Sequence, residues 1–519
     1  MEQQEREPSS SLARILFGSC NSQIREQPLW DSIIARNASA FVWSGDAVYA
    51  KYSRSGITYD KRAYMLAPKH RPGLTTPETL RQAFDEQLQR DGYQRFLQTG
   101  IDLFGTWDDH DYGDNDSDET NAYKIPNAKE YVRFLGTPED SHFYQRAHNG
   151  KGLYGVQVWD FSRPRGQQLL SDIEAGLEPD LPLDTNSDVT LSEQSVAVFV
   201  LDVRSFKTPW KGGTLGQGNF KPDFDGDFLG EEQWSWFEEA ISRSQARVNV
   251  IVQGLMVHAS RYSLNGQEDW TKFPRAQHRL YQAVLQPNVR NPIFVSGDVH
   301  YALFMRKDCR KASTAYGETP VRPLLDVVSS GMTHSMGNSQ CTAPHIEPMC
   351  SIPHEAWATR NAWNFWLRTS PLTGMVLADE GEYSSNRDGR QFSLELNFAE
   401  LEFDWEQELL HISWLGKDET LLMDSKWSFQ ELSGENLRHS DLVHPSDYQR
   451  TVKKLDEAGI FVGEDDWICV DHRGLANNRH VAFSSLVLVY IHFFYMAAPI
   501  WPVFFVLLLC LRRKRKTVF

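Results

Sequence analysis

Ala40-Phe41-Val42-Trp43-Ser44-Gly45-Asp46-Ala47-Val48-Tyr49 is the stretch from which the rest of the chain can be read. Its apolar run reads as a buried strand, and glycine ends it because glycine accepts the turn that comes next. Asp46 and Tyr49 then arrive together as oxygen donors at one edge of a sheet. Far along the chain the same grammar recurs in Pro292-Ile293-Phe294-Val295-Ser296-Gly297-Asp298-Val299-His300, now delivering a carboxylate and an imidazole. Two strand ends presenting such donors assemble a metal site from distant sequence, so the chain reads as a metalloenzyme rather than a scaffold.

Outward from these two stretches, short apolar runs at 15–17, 195–201, 248–257 and 325–328 give further strands. Helical periodicity fills the intervals at 77–98, 127–135, 231–245 and 276–285, the first opening on Thr75-Thr76-Pro77, a good helix start. Alternating strands and helices predict an α/β fold of mixed layers. Beyond Ser393 the residues alternate polar and apolar, and Gly416-Lys417-Asp418 separates 411–415 from 421–423. That pattern predicts an antiparallel hairpin. The expected organisation is a polar tail over 1–11, one globular unit over 12–435, a polar stalk over 436–480, an uncharged span over 481–511 and a basic tail over 512–519.

The chain has 519 residues, 41% apolar and 24% charged, which suits a folded protein with well-buried cores. Its formal net charge is −16, and the basic run Arg512–Arg513–Lys514–Arg515–Lys516 makes the remaining body more acidic still. An acidic body repels phosphate backbones, so no nucleic-acid partner is expected. Six cysteines do not make a disulfide framework. Cys341 and Cys350 are placed to close a small loop, Cys309 and Cys469 are further candidates for pairing, and Cys20 ends a strand-like run.

No charged side chain occurs over 481–511, whereas a membrane-spanning helix needs about 20 apolar residues. A single-pass transmembrane helix is therefore expected, kinked at Pro499 and Pro502, with the membrane as a partner. The basic residues after it favour a cytosolic C-terminus and a lumenal or extracellular catalytic domain. Met1–Ser11 lacks the apolar core of a signal peptide, which leaves a cytosol-facing domain open.

Four segments carry the chemistry: Phe17-Gly18-Ser19-Cys20, Gly45-Asp46-Ala47-Val48-Tyr49, the loop around Trp107-Asp108-Asp109-His110-Asp111, and Gly297-Asp298-Val299-His300. The third runs on through Asp114-Asn115-Asp116. Packed carboxylates repel one another, so a folded loop of this composition calls for a cation. Cys, Asp, Tyr, Asn and His together form a sensible two-metal set, with Tyr and Cys as anions suiting a trivalent or thiophilic ion.

In this order the four segments resemble the PhoD-like alkaline phosphatase family of the metallophosphoesterase superfamily. Phe199-Val200-Leu201-Asp202-Val203-Arg204, Glu232-Gln233-Trp234-Ser235-Trp236-Phe237 and Asn397-Phe398-Ala399-Glu400-Leu401-Glu402-Phe403 add to the likeness, which covers roughly 12–435. The resemblance implies a four-layer αββα sandwich with the site at strand ends. It implies one metal, ferric iron by similarity, on Cys20, Asp46, Tyr49 and His300. Asp46 would bridge to a second ion, such as calcium, completed by Asn115 and Asp298. The expected substrate is a phosphomonoester or phosphodiester, attacked in line by water activated between the two metals. His110 would protonate the leaving group with Asp109 orienting it. Arg204 would hold a phosphoryl oxygen or else form an ordinary salt bridge, and His258 is a further candidate for the site.

The chain departs from the wider superfamily at two points: Asp298 stands for the first histidine of Gly-His-x-His, and Ser19-Cys20 stands for Asp-x-His. Both departures fit the PhoD-like branch. Val203 stands where relatives carry Thr. The competing reading is a catalytically degenerate phosphatase-like domain acting as a membrane receptor or binding module.

Overall fold

A computed structural model describes residues 13–50, 75–179, 191–211, 222–259, 268–313, 321–338, 354–369, 374–376, 390–435, 437, 443–475 and 478–497. Fifteen strands are present among the described residues: β1 Ala13–Gly18, β2 Ala40–Ser44, β3 Asp102–Thr106, β4 Gly155–Asp160, β5 Leu169–Leu170, β6 Ser195–Val200, β7 Val248–Val252 and β8 Pro292–Ser296 come first. β9 Ala302–Lys311, β10 Arg322–Val328, β11 Phe392–Ser393, β12 Phe398–Asp404, β13 Leu409–Leu415, β14 Leu421–Ser428 and β15 Trp467–Asp471 complete them. They form two mixed sheets. The first has the order β14-β13-β12-β1-β2-β3, and the second runs β11-β9-β10-β8-β7-β6-β4-β5 with β15 added beside β9. β1, β2 and β3 are mutually parallel, as are β6, β7, β8 and β10. The expected hairpin is β13–β14, paired antiparallel from Leu409↔Ser428 to Leu415↔Leu421.

The two-residue period of the strands decides which layer each side chain enters. Val196, Val198 and Val200 of β6, with Val250 of β7 and Ile293 and Val295 of β8, share one core with Ile15 and Val42 of the first sheet. The alternate residues Ala197, Phe199, Ile251 and Phe294 face the opposite way, onto Trp234, Phe237 and Ile241 of helix Gly230–Arg243 and Leu280 and Val284 of helix Pro274–Val284. On the far side of the first sheet, Phe41 and Trp43 meet Trp30, Tyr93, Phe96 and Phe134, with Phe41 and Phe96 rings 5.4 Å apart. Helix, sheet, sheet and helix therefore stack as the α/β sandwich expected. Each of these large side chains contributes about 1.5–3 kcal/mol on burial, so both sheets are held from both faces.

The periodic stretch 77–98 is two helices, Pro77–Leu88 and Asp91–Leu97. Thr76 caps the first, and extended backbone at Arg90 turns the chain so that Tyr93 and Phe96 reach Trp30.

Two expectations for the C-terminal part are corrected. The stretch read as a stalk holds helix Pro445–Glu457 and strand β15, which pairs antiparallel with β9 and is joined to it by a Cys309–Cys469 disulfide. Its surface is hydrophilic and its buried side (Val443, Tyr448, Leu455, Ile460, Ile468, Val470) is spread thinly through the sequence, so no apolar run marks it. Cys341 and Cys350 lie outside the described residues.

The single-pass span is also overturned: among the described residues no helix is long and apolar enough to cross a membrane. The uncharged run enters a helix over Asn478–Met496, which packs along helix Glu355–Thr369. Leu488, Ile491 and Tyr495 share a cluster with Ala362, Trp363, Trp366 and Leu367, and the Tyr495 ring meets Trp357 at 5.1 Å. One face of this helix packs on its neighbour, while Phe483, Leu486, Tyr490 and Phe493 remain exposed. The membrane orientation read from that span loses its basis with it, and residues 498–519, which hold the rest of the expected span, lie outside the described residues.

Candidate metal centre

The parallel strands point their carboxyl ends at one region, and the loops leaving them carry the donors. Cys20 follows β1, Asp46 and Tyr49 follow β2, Asp108 and Asp109 follow β3, and Asp298 and His300 follow β8. Four of these residues hold left-handed backbone: Cys20 (φ 58°), Asp46 (φ 51°), Asp298 (φ 66°) and His300 (φ 59°). Side chains disfavour that region, at about 1–2 kcal/mol each. Such concentrated strain belongs to a place where the surroundings fix donor direction.

Tyr49 is the hub. Its phenol donates to Asp46 Oδ2 at 3.0 Å, and its oxygen lies 3.1 Å from His300 Nε2 and 3.0 Å from His334 Nε2. Cys20 Sγ stands 3.8 Å from Asp46 Oδ2 and 3.0 Å from Ser330 Oγ. Ligand atoms of Cys20, Asp46 and His300 all fall within 4.8 Å of one another, as do those of Asp108, Asp109 and Asp298. Asp46 also groups with Asp109 and His110, and Asp109 with Asp116 and Glu268. Asp46 and Asp109 thus link neighbouring donor sets into one continuous centre.

Backbone amides lock the two acidic loops together. Asp111 accepts from Ala47 N at 2.9 Å and from Asp108 N at 2.7 Å, and Asp46 Oδ1 accepts from His110 N at 3.1 Å. Asp108 is squeezed between two glycines. A Cβ on Gly45 would sit 2.5 Å from Asp108 Cβ, and one on Gly254 would sit 2.4 Å from Asp108 Cγ. No larger residue leaves room for this carboxylate.

The electrostatics call for cations. Burial pushes the Asp46 carboxyl well above its ordinary range, and Asp109, Asp108, Asp111 and Asp298 push it further. Burial, then Asp108 and Asp109, does the same to Asp298. Burial raises Cys20 and Tyr49 too, with Asp46 as the next cause for each. Asp108 is pushed up to about 7 by burial although the Arg204 guanidinium pulls it down. Its Oδ2 is buried without a hydrogen-bond partner among the described residues, which a bound cation would satisfy. The residues present fit metals: sulfur, imidazole, phenol and carboxylate from Cys20, His300, Tyr49 and Asp46 suit a thiophilic or trivalent ion, and the all-carboxylate set suits a hard divalent one.

The remaining expected residues take varied positions. His110 is largely buried, with its ring against Tyr49 (4.2 Å) and Nε2 3.8 Å from Asp109 Oδ1. Asn115 is exposed on the acidic loop beside Asp116, and it is Asp116 that groups with Asp109 and Glu268. Arg204 is wholly buried, its Nε 2.5 Å from Asp108 Oδ1 and its Nη1 2.5 Å from Glu268 Oε2. Of its two readings the structure contains the salt bridge. His258 packs elsewhere, between Tyr281 Oη and Leu324 O at 3.1 Å each, and burial drives its imidazole well below its usual value.

Sequence reasoning missed Glu268, Lys207, Ser330 and His334. Lys207 pairs with Glu268 and lies 4.6 Å from the Trp210 ring centre. Ser329-Ser330-Gly331-Met332-Thr333-His334 follows the apolar run of β10, the same grammar as the other donor loops, and that was the available signal.

Comparison with known proteins bears on residues 194–350, which match the family profile described as PhoD-like phosphatase. No curated protein matches the chain. Among solved structures, PhoD is similar at 14% identity and a TM-score of 0.43, over 80% of this chain and 70% of that one. The purple acid phosphatase PPD1 from yellow lupin (Lupinus luteus) seeds is similar at 10% identity and 0.38, over 81% of this chain and 54% of that one. Both likenesses are remote.

Proposed function

We propose that this chain, a phosphoric ester hydrolase by its PhoD-like phosphatase match over 194–350, hydrolyses phosphomonoesters or phosphodiesters at a two-metal centre. The observation that carries the reading is the meeting of Asp46 and His300 at the Tyr49 phenol oxygen, with Cys20 grouped with both and Asp108, Asp109 and Asp298 alongside. Cys20, Asp46, Tyr49 and His300 would hold a ferric ion. Asp46 and Asp298, with Asp108 and Asp109 beside them, would serve a divalent ion such as calcium, and Asn115 would complete that site as the family resemblance implies. Metals so held supply Lewis acidity toward water and phosphoryl oxygens.

The side chains do the rest. His110, at the edge of the centre and beside Asp109, would give its proton to the leaving alkoxide, and Asp109 would set its orientation. Arg204, engaged by Asp108 and Glu268, would act by holding Asp108 in place.

The test is metal analysis and an absorption spectrum of the purified protein, alongside Asp46→Asn. Iron, a visible tyrosinate band, and loss of both band and phosphatase activity in the variant are expected. A colourless preparation whose Asp46→Asn variant stays fully active would overturn the assignment.

A further inference from the structure

We infer that His334 is a positioning residue for the Tyr49 oxygen, an inference that rests on Tyr49 being a metal ligand. His334 is fully buried, and its ring stands edge-on to both Tyr49 (4.9 Å) and His300 (4.4 Å). Its Nε2 is 3.0 Å from Tyr49 Oη and its Nδ1 is 3.0 Å from Thr333 Oγ1. Yet His334 belongs to none of the donor groups found among the described residues, whereas Asp46 and His300 share one with Cys20. Among the described residues three side chains hold the phenol oxygen, and two of them are themselves placed to face the ion. When those two turn to a cation, His334 still contacts the phenolate.

The hydrogen-bond inventory fixes which way His334 acts. A phenol has one proton, and here it goes to Asp46 Oδ2. The oxygen must then accept from His334, so the ring proton sits on Nε2. Bare Nδ1 accepts from the Thr333 hydroxyl, whose oxygen in turn accepts from Ser22 N at 2.9 Å. The competing acceptor for that hydroxyl, Cys20 O, is farther at 3.3 Å. The same Nε2–H serves a phenolate unchanged. Ser22 lies on the Cys20 loop, so the Ser22–Thr333–His334–Tyr49 chain couples the loop of the thiol to the loop of the phenol. Such outer partners set ligand direction and typically govern metal affinity by about 10–100-fold.

The experiment loads the full chain with ferric iron and measures iron affinity by chelator competition together with the visible band. His334→Phe is expected to bind iron roughly 10–100-fold more weakly and to displace the band. His334→Gln, which keeps an N–H donor, should lie closer to wild type on both readouts. A purely packing role would lower the melting temperature without moving the band. Wild-type band and affinity in His334→Phe overturn the inference. Should that variant not fold, Thr333→Val decides, because it leaves His334 in place and removes the hydroxyl that orients it; an unmoved band there is equally fatal. Tyr49→Phe separates the two levels. A band that survives Tyr49→Phe overturns the ligand assignment and this inference with it, whereas one abolished by Tyr49→Phe and unmoved by His334→Phe overturns this inference alone.

Discussion

Arg204 and Asp108 form an ion pair with both side chains wholly buried, Nε to Oδ1 at 2.5 Å, and the same guanidinium reaches Glu268. A pair sealed from water gains little over an apolar substitute, but removing one partner strands the other charge. Arg204→Ala is therefore expected to cost about 3–5 kcal/mol, read from the urea midpoint. Arg204→Lys keeps the charge without the fork that serves both carboxylates, so its loss should be intermediate. A variant as stable as wild type would show that Asp108 is stabilised from elsewhere.

The two glycines against Asp108 give a sharper test. Gly45 has φ +96°, and a Cβ there meets Asp108 Cβ; at Gly254 it meets Asp108 Cγ at 2.4 Å and Oδ1 at 2.5 Å. Asp108 cannot retreat freely because Arg204 holds it. Gly254→Ala should cost about 1–3 kcal/mol through overpacking. Gly45→Ala adds left-handed strain of about 1–2 kcal/mol. Phosphatase rate should fall out of proportion to stability in Gly254→Ala, since the displaced carboxylate belongs to the centre. Equal, small effects on both would remove Asp108 from it.

The Cys309–Cys469 disulfide closes a sequence separation of 160 residues and fixes β15 to β9. Loops of that order lose about 4–5 kcal/mol of unfolded-state entropy when cross-linked, although measured effects run lower. Reductant, or Cys469→Ser, is expected to lower stability by about 2–5 kcal/mol and to raise hydrogen exchange first in 443–475. Exchange rising uniformly across both sheets would contradict a local role for the bond.

Strands buried on both faces were legible because their apolar runs need no partner to be recognised: 40–43, 195–201 and 293–295 fall on β2, β6 and β8. β9 was not, since Arg306, Lys307, Asp308, Arg310 and Lys311 interrupt it. Its charges are met by side chains near and far: Arg306 Nε pairs with Asp308 at 2.7 Å, and Lys307 with Asp471 at 2.5 Å. The helix over Asn478–Met496 fails for the converse reason, as hydropathy alone cannot separate a membrane span from a helix packed on Trp363 and Trp366. In the centre, residues after a glycine-ended strand could be read. Glu268, supplied by a loop before Trp270 and recruited by Arg204 and Lys207, had no local signature.

Asp326 provides a pH test away from the metal donors. It lies in β10, fully buried, with Oδ1 accepting from Ser296 Oγ at 2.7 Å and Oδ2 from Val257 N at 2.8 Å and His258 N at 3.0 Å. Burial pushes its carboxyl up to about 6 despite those donors and the pull of Lys307. An unfolded aspartate titrates near about 3.9. Because the folded value is the higher one, the folded state binds the proton more tightly, and this group's stabilisation is fully present below about pH 4 and lost as pH rises through about 6. Asn in its place can accept the two amides and donate to Ser296, without titrating. Chemical denaturation of wild type and Asp326→Asn at intervals from pH 4 to 7 should show wild type losing roughly 2–3 kcal/mol relative to the variant across that window. Parallel curves would mean that Asp326 stays ionised throughout and that its three donors outweigh its burial.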